Sequence, residues 1–147
     1  MSNEASLISY FSEDRPTPSI TSKTSYWLSQ IAEKHGFKVN ELNYVFCSDD
    51  YLLEVNKTYL AHDYYTDIIT FDNSEEEGII ESDIFISTDR VEENEKEHDV
   101  PRGTEILRVM AHGLLHLCGF KDKTEEEANE MRKQEEACLS LWKKSHS

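Results

Sequence analysis

Apolar and polar positions change their period several times along the chain, and each change marks an element. Residues 7–11 alternate over a short stretch and predict an opening strand, followed by a loop through Pro16 and Pro18. Tyr26, Trp27, Ile31 and Ala32 recur at helical spacing, so a helix is expected over residues 22–35, ended by His35-Gly36. Residues 42–47 are rich in β formers and predict a strand. Ser48 then offers an N-cap for a helix carrying Leu52, Leu53, Val55 and Tyr59. In residues 63–72 a β-rich run bounded by polar side chains predicts a buried strand, and residues 79–87 predict another.

The later part of the chain reads as helical. Thr88 opens a polar helix, and Pro101 starts a helix whose apolar face is Ile106, Leu107, Met110, Leu114 and Leu117. Thr124 and Glu127 form a capping-box pattern at the head of a last helix, which carries Ala128, Met131, Ala137, Cys138 and Leu141 and reaches Trp142. With 147 residues and no linker or repeat, the expected fold is α+β (α/β), one domain over residues 1–147. Strands clustered early and helices late predict a small mixed β-sheet covered by helices.

Charge changes what such a fold can do. The formal net charge is −15, which argues against broad, sequence-blind nucleic-acid binding, and no DNA partner is expected. Much of the acid lies in two runs, at Glu75 to Glu77 and Glu125 to Glu127, that read as solvated faces. Arg102, Arg108, Lys121 and Lys123 flank the Pro101 helix at both ends and predict a local basic rim. No apolar run approaches the ~18 residues of a membrane span, and the first six residues lack the pattern of a leader peptide. Three cysteines without C-x-x-C spacing fit a reducing compartment, so a cytoplasmic location is expected.

The chemistry is concentrated in residues 108–122. His112 and His116 stand one helical turn apart, rotated by roughly 40° and displaced by about 6 Å, so both imidazoles can converge on one ion. Gly119 stands where the backbone can adopt φ > 0, leave the helix and return Asp122 as a third ligand. Two imidazoles and one carboxylate suit one Zn²⁺ ion with an open position for water, whose pKa such an ion can lower to about 7. Cys118 points away from the shared face of His112 and His116 and is expected in the core. The familiar zinc protease motif has a glutamate directly after its first histidine, and Gly113 stands there instead.

The run His112-Gly-Leu-Leu-His-Leu-Cys-Gly-Phe resembles the H-G-x-L-H-L-x-G-Y-D-H signature of the YbeY family of rRNA maturation factors, single-metal endoribonucleases. Further matches are Val55-Asn56 through Tyr59 with the family's L-N-x-x-Y-R, residues 66–71 with T-D-V-L-S-F, and Ser82-Asp83-Ile84 with a G-D-I strand; Met131 fits the family's acidic last helix. The chain departs at Leu60, where the family has an arginine thought to hold phosphate, and at Asp122, where it has a third histidine. The resemblance implies an α/β fold and a single-strand-specific, metal-dependent endoribonuclease acting in 16S rRNA 3′-end maturation and ribosome quality control. The implied partners are rRNA and the small ribosomal subunit. His62 and Asp67 are then the candidate catalytic residues, and Asp83 a candidate hydrogen-bond partner of a ligand histidine. A zinc metalloprotease-like hydrolase and a non-catalytic ribosome-associated protein with a structural zinc are the competing readings.

Overall fold

In a computed structural model the described residues are 7–20 and 22–146, with side chains through Lys144. The amino-terminal segment read for a leader lies outside them. Four strands are described, β1 (Ile8–Ser12), β2 (Lys38–Cys47), β3 (Ile68–Asp72) and β4 (Ile79–Ser87). Five helices are described, α1 (Ser22–Lys34), α2 (Asp49–Leu60), α3 (Thr88–Glu97), α4 (Thr104–Leu117) and α5 (Glu125–His146), in the chain order β1-α1-β2-α2-β3-β4-α3-α4-α5. The sheet order is β1-β2-β4-β3, with β1, β2 and β4 parallel and β3 antiparallel to β4. The expected mixed sheet covered by helices is therefore present.

Strand periodicity divides the side chains between two layers, because successive residues point to opposite faces. Leu42, Tyr44 and Phe46 of β2 join Ile80, Ile84 and Ile86 of β4 on one face, buried against Trp27, Leu28 and Ile31 of α1 and Met110 and Leu114 of α4. On the other face Cys47 and Ile69 pack with Leu52 and Val55 of α2. Burying each such large apolar side chain is worth about 1.5–3 kcal/mol, so α4 is held chiefly by its seat on the sheet. Two hydrogen bonds fix the helix layer further. Tyr44 Oη donates to the Met110 carbonyl at 2.9 Å, and Trp27 Nε1 donates to the Cys138 carbonyl at 2.8 Å.

Several boundaries differ from the sequence reading. Only Ile68–Asp72 of the expected 63–72 strand pairs with β4. Residues 61–67 form a loop because Asn56, buried in α2, holds it: the Asn56 carbonyl accepts from His62 N at 3.2 Å and its Nδ2 donates to the Tyr64 carbonyl at 3.0 Å. Tyr26, expected in the apolar face of α1, is exposed, and Leu28 occupies the buried position. Ala137 is likewise exposed on α5. Helix α4 begins at Thr104 rather than Pro101, and Glu95 of α3 supplies its cap, accepting from Gly103 N at 2.8 Å and Glu105 N at 3.3 Å. At α5 the capping box is present: Glu127 N donates to Thr124 Oγ1 at 3.1 Å, and Thr124 N to Glu127 Oε1 at 3.0 Å.

Candidate metal centre

Helix α4 carries a glycine in its interior, which costs about 1 kcal/mol of helix propensity relative to alanine. The reason is contact with the sheet. A Cβ at Gly113 would stand 2.9 Å from Ile68 Cδ1 and 3.1 Å from Ile84 Cδ1, so only hydrogen fits without displacing the isoleucines. The flank of the helix beside this contact bears His112 and His116, whose rings meet edge to face with centroids 4.6 Å apart.

The helix ends as its glycine requires. Gly119 has φ 99°, with Gly119 N donating to the His116 carbonyl and Phe120 N to the Leu115 carbonyl, both at 3.0 Å. Phe120 then packs on the core and edge-on to His35, which anchors the returning chain. Asp122 arrives as expected. Its Oδ2 lies 3.4 Å from His112 Nε2 and 3.5 Å from His116 Nε2, and the two Nε2 atoms are 3.1 Å apart. Donors bound tetrahedrally at about 2.0–2.2 Å stand roughly 3.3–3.6 Å from one another, so this triangle has close to the size a four-coordinate ion needs. Among the described residues these three form the one group of His, Cys, Asp and Glu side chains arranged to hold a metal.

A buried carboxylate that sequence reading passed over orients the first candidate ligand. His112 Nδ1 lies 2.5 Å from Glu135 Oε2 on α5, and Glu135 is only 4 % exposed. Burial pushes the Glu135 carboxyl up, but its bond to His112 and the charge of Arg108 outweigh that and hold it below the usual glutamate value. As an ionised acceptor it requires the proton on Nδ1, which leaves the His112 Nε2 lone pair facing Asp122 and His116. Arg108 completes the support, donating to Glu105 and, at 2.9 Å, to Glu135 Oε1. Its guanidinium, hydrogen-bonded to buried Glu105, is held even more firmly protonated than usual.

The matching family model is that of endoribonuclease YbeY, and it covers residues 8–143. The chain belongs to the YbeY family. A protein named endoribonuclease YbeY from Cytophaga hutchinsonii is 58% identical over 117 residues, 80% of this chain and 82% of that one. Its namesake from Phocaeicola vulgatus is 46% identical over 136 residues, 92% of this chain and 98% of that one. The solution structure of TM1509 from Thermotoga maritima matches with a TM-score of 0.63 at 28% identity, over 94% of this chain and 93% of that one.

Within this YbeY-family framework the remaining sequence candidates fall in different places. Asp83 is not the histidine's partner. It alternates with Ile84, the residue under α4, so it points to the opposite face of the sheet, where it accepts from Asn43 Nδ2 at 2.9 Å. The basic rim is also smaller than expected. Arg108 is turned inward to two glutamates, and Arg102 precedes a helix in which Thr104 and His112 are about 12 Å apart along the axis. Lys121 and Lys123 alone flank Asp122. His62 is exposed in the loop of residues 61–67, its Nδ1 3.0 Å from Tyr64 Oη. Half-buried Asp67 ends that loop, its carbonyl accepting from Ser87 N at 3.0 Å. Leu60 closes α2 and is exposed. Cys118 packs against the core as expected, its thiol pushed up to about 12 by burial. No helix among the described residues is long and apolar enough to cross a membrane.

Proposed function

We propose that this chain is a metal-dependent endoribonuclease that cuts single-stranded RNA, with His112, His116 and Asp122 holding one Zn²⁺ ion. The observation that carries it is the triangle of two Nε2 atoms and one Oδ2 atom in a chain whose family is that of endoribonuclease YbeY. Two imidazoles and a single carboxylate favour zinc over magnesium or calcium, which prefer all-oxygen sites. By family, the substrate is the 3′ end of 16S rRNA on the small ribosomal subunit, in rRNA maturation and ribosome quality control within the cytoplasm.

When bound, the ion supplies activation of water and neutralisation of charge at a phosphate. The protein's part is positioning. Glu135 keeps the His112 proton on Nδ1, and Arg108 keeps Glu135 charged and in place. Asp122, more exposed than the two imidazoles, leaves the site open on one side for a polymer to approach. Arg108 is committed to Glu105 and Glu135, so anion contact falls to other groups, and His62 and Asp67 are the proposed catalytic side chains. A protease reading lacks its base: the site that would carry the glutamate is Gly113, pressed against Ile68 and Ile84. A purely structural zinc is disfavoured because His116 and Asp122 reach the surface.

The test is cleavage of an RNA fragment spanning the 3′ end of 16S rRNA by the zinc-loaded protein, beside His116→Ala and beside a casein assay. RNA cleavage lost with zinc in the variant is expected. Chelator-sensitive casein cleavage with intact RNA would overturn the assignment.

A further inference from the structure

The loop of residues 61–67 combines a fixed backbone with aromatic rings turned to solvent. Ala61 adopts the left-handed conformation, φ 57°, to end α2, and buried Asn56 binds both the His62 amide and the Tyr64 carbonyl. Tyr64 is nevertheless 55% exposed and Tyr65 51% exposed. The rings are also posed. His62 stacks on Tyr64 with centroids 5.1 Å apart and planes within 21°, so it occupies one face of that ring. Tyr65 is held by a 3.1 Å hydrogen bond from its hydroxyl to Asp50 Oδ1 and by the Arg90 guanidinium, 6.0 Å from its ring centre.

This loop runs into the strand that packs under α4. Ile68, where the loop becomes β3, is the residue that touches Gly113, the sequence neighbour of His112. Four residues of chain from Tyr64 to Ile68 span at most about 14 Å. A protein of net charge −15 has little general attraction for a phosphate backbone, and one of the basic side chains nearest the ion, Arg108, is turned inward. With only Lys121 and Lys123 left beside Asp122, affinity for a single strand would gain from a source that does not depend on charge. Base stacking on aromatic rings is such a source, and it is tolerant of sequence because every base has a π-face.

We propose that Tyr64 and Tyr65 form a base-stacking platform for single-stranded RNA beside the metal centre, Tyr64 taking a base on the face turned away from His62. The proposal rests on the endoribonuclease reading above. It makes Tyr64 a binding residue whose ring, rather than its hydroxyl, matters.

The experiment measures equilibrium binding and cleavage of a fluorescently labelled single-stranded RNA by the full-length zinc-loaded protein, with Tyr64→Ala and Tyr64→Phe in parallel. A second RNA carries abasic sites flanking the cut. Tyr64→Ala should weaken RNA binding by roughly 5- to 150-fold, and Tyr64→Phe, which keeps the ring, should bind within about twofold of wild type. The abasic RNA should bind wild type as weakly as Tyr64→Ala binds the intact RNA, with little further loss when both changes are combined. If wild type cleaves RNA while Tyr64→Ala binds and cleaves equally well, the platform is wrong and the endoribonuclease reading stands. Equal losses of binding in Tyr64→Ala and Tyr64→Phe would assign the effect to the hydroxyl and overturn stacking. A wild-type protein that neither binds nor cuts the RNA overturns both readings.

Discussion

Helix α4 and the loop of residues 61–67 meet where Gly113 touches Ile68, and they are built on opposite terms. The helix buries what surrounds its functional atoms: Val109, Met110, Leu114 and Leu115 lie in the core, and Glu105 and Glu135 are enclosed with Arg108 behind His112. The loop is tethered by buried Asn56 of α2 and leaves its own rings outside. The contrast follows from what each must contact. An ion needs three donor atoms held within a few tenths of an ångström, which takes packing and hydrogen bonds from behind. A polymer needs a surface it can reach.

The largest effect is expected where the two regions touch. Gly113→Glu would restore the carboxylate of the protease motif but force it against Ile68 and Ile84, with a cost above about 3 kcal/mol for a buried unpaired charge and no gain of peptidase activity. Gly113→Ala should be far milder, because about 1 kcal/mol of helix propensity offsets part of the ~1–3 kcal/mol of overpacking. Urea melts of both variants measure this, and wild-type stability in Gly113→Glu would show that α4 is not seated on β3 as described.

Next comes the support behind His112. Glu135→Ala removes the acceptor for both His112 and Arg108, and zinc affinity measured by chelator competition should fall about 10- to 100-fold. Glu135→Gln keeps an acceptor oxygen, so its loss should be smaller. Equal affinity in all three proteins would mean that the tautomer of His112 needs no support from α5.

The smallest effect lies away from both regions, where acidic side chains fasten the chain after β1. Asp14, hydrogen-bonded to Ser48, and Asp89, hydrogen-bonded to Arg15, both titrate below the usual aspartate value. Their contribution is therefore present above the unfolded value near 3.9 and is lost as pH falls through the lower folded values. Thermal melts between about pH 2 and 7 should show Asp89→Asn less stable than wild type near neutrality, with a shallower fall on the acid side, so that the two converge at the lowest pH.

The convergence of the three candidate ligands was legible in the sequence because the rules that join them are local. The i, i+4 spacing of His112 and His116 and the left-handed Gly119 depend only on the backbone of one helix and its exit. The supports were not, because they depend on which helix packs on which. Glu135 did leave a trace: with Met131 and Cys138 it keeps helical spacing along the buried stripe of α5, a charged residue where an apolar one is expected. Asp83 was misplaced for the complementary reason. Strand parity puts it opposite Ile84, but only the position of α4 says which of the two faces the metal. Residues 63–67 of the loop were merged into β3 because their tyrosines and threonine are good β formers, a local preference that the hydrogen bonds of Asn56 override.

The most direct test is the metal content of the purified protein, measured by elemental analysis on wild type and Asp122→Ala side by side. About one zinc per wild-type chain and a much reduced content in the variant is the expected result, since only two of the three converging donors would remain. A variant that keeps its full complement of zinc would contradict the assignment of Asp122 as a ligand, and with it the centre described here.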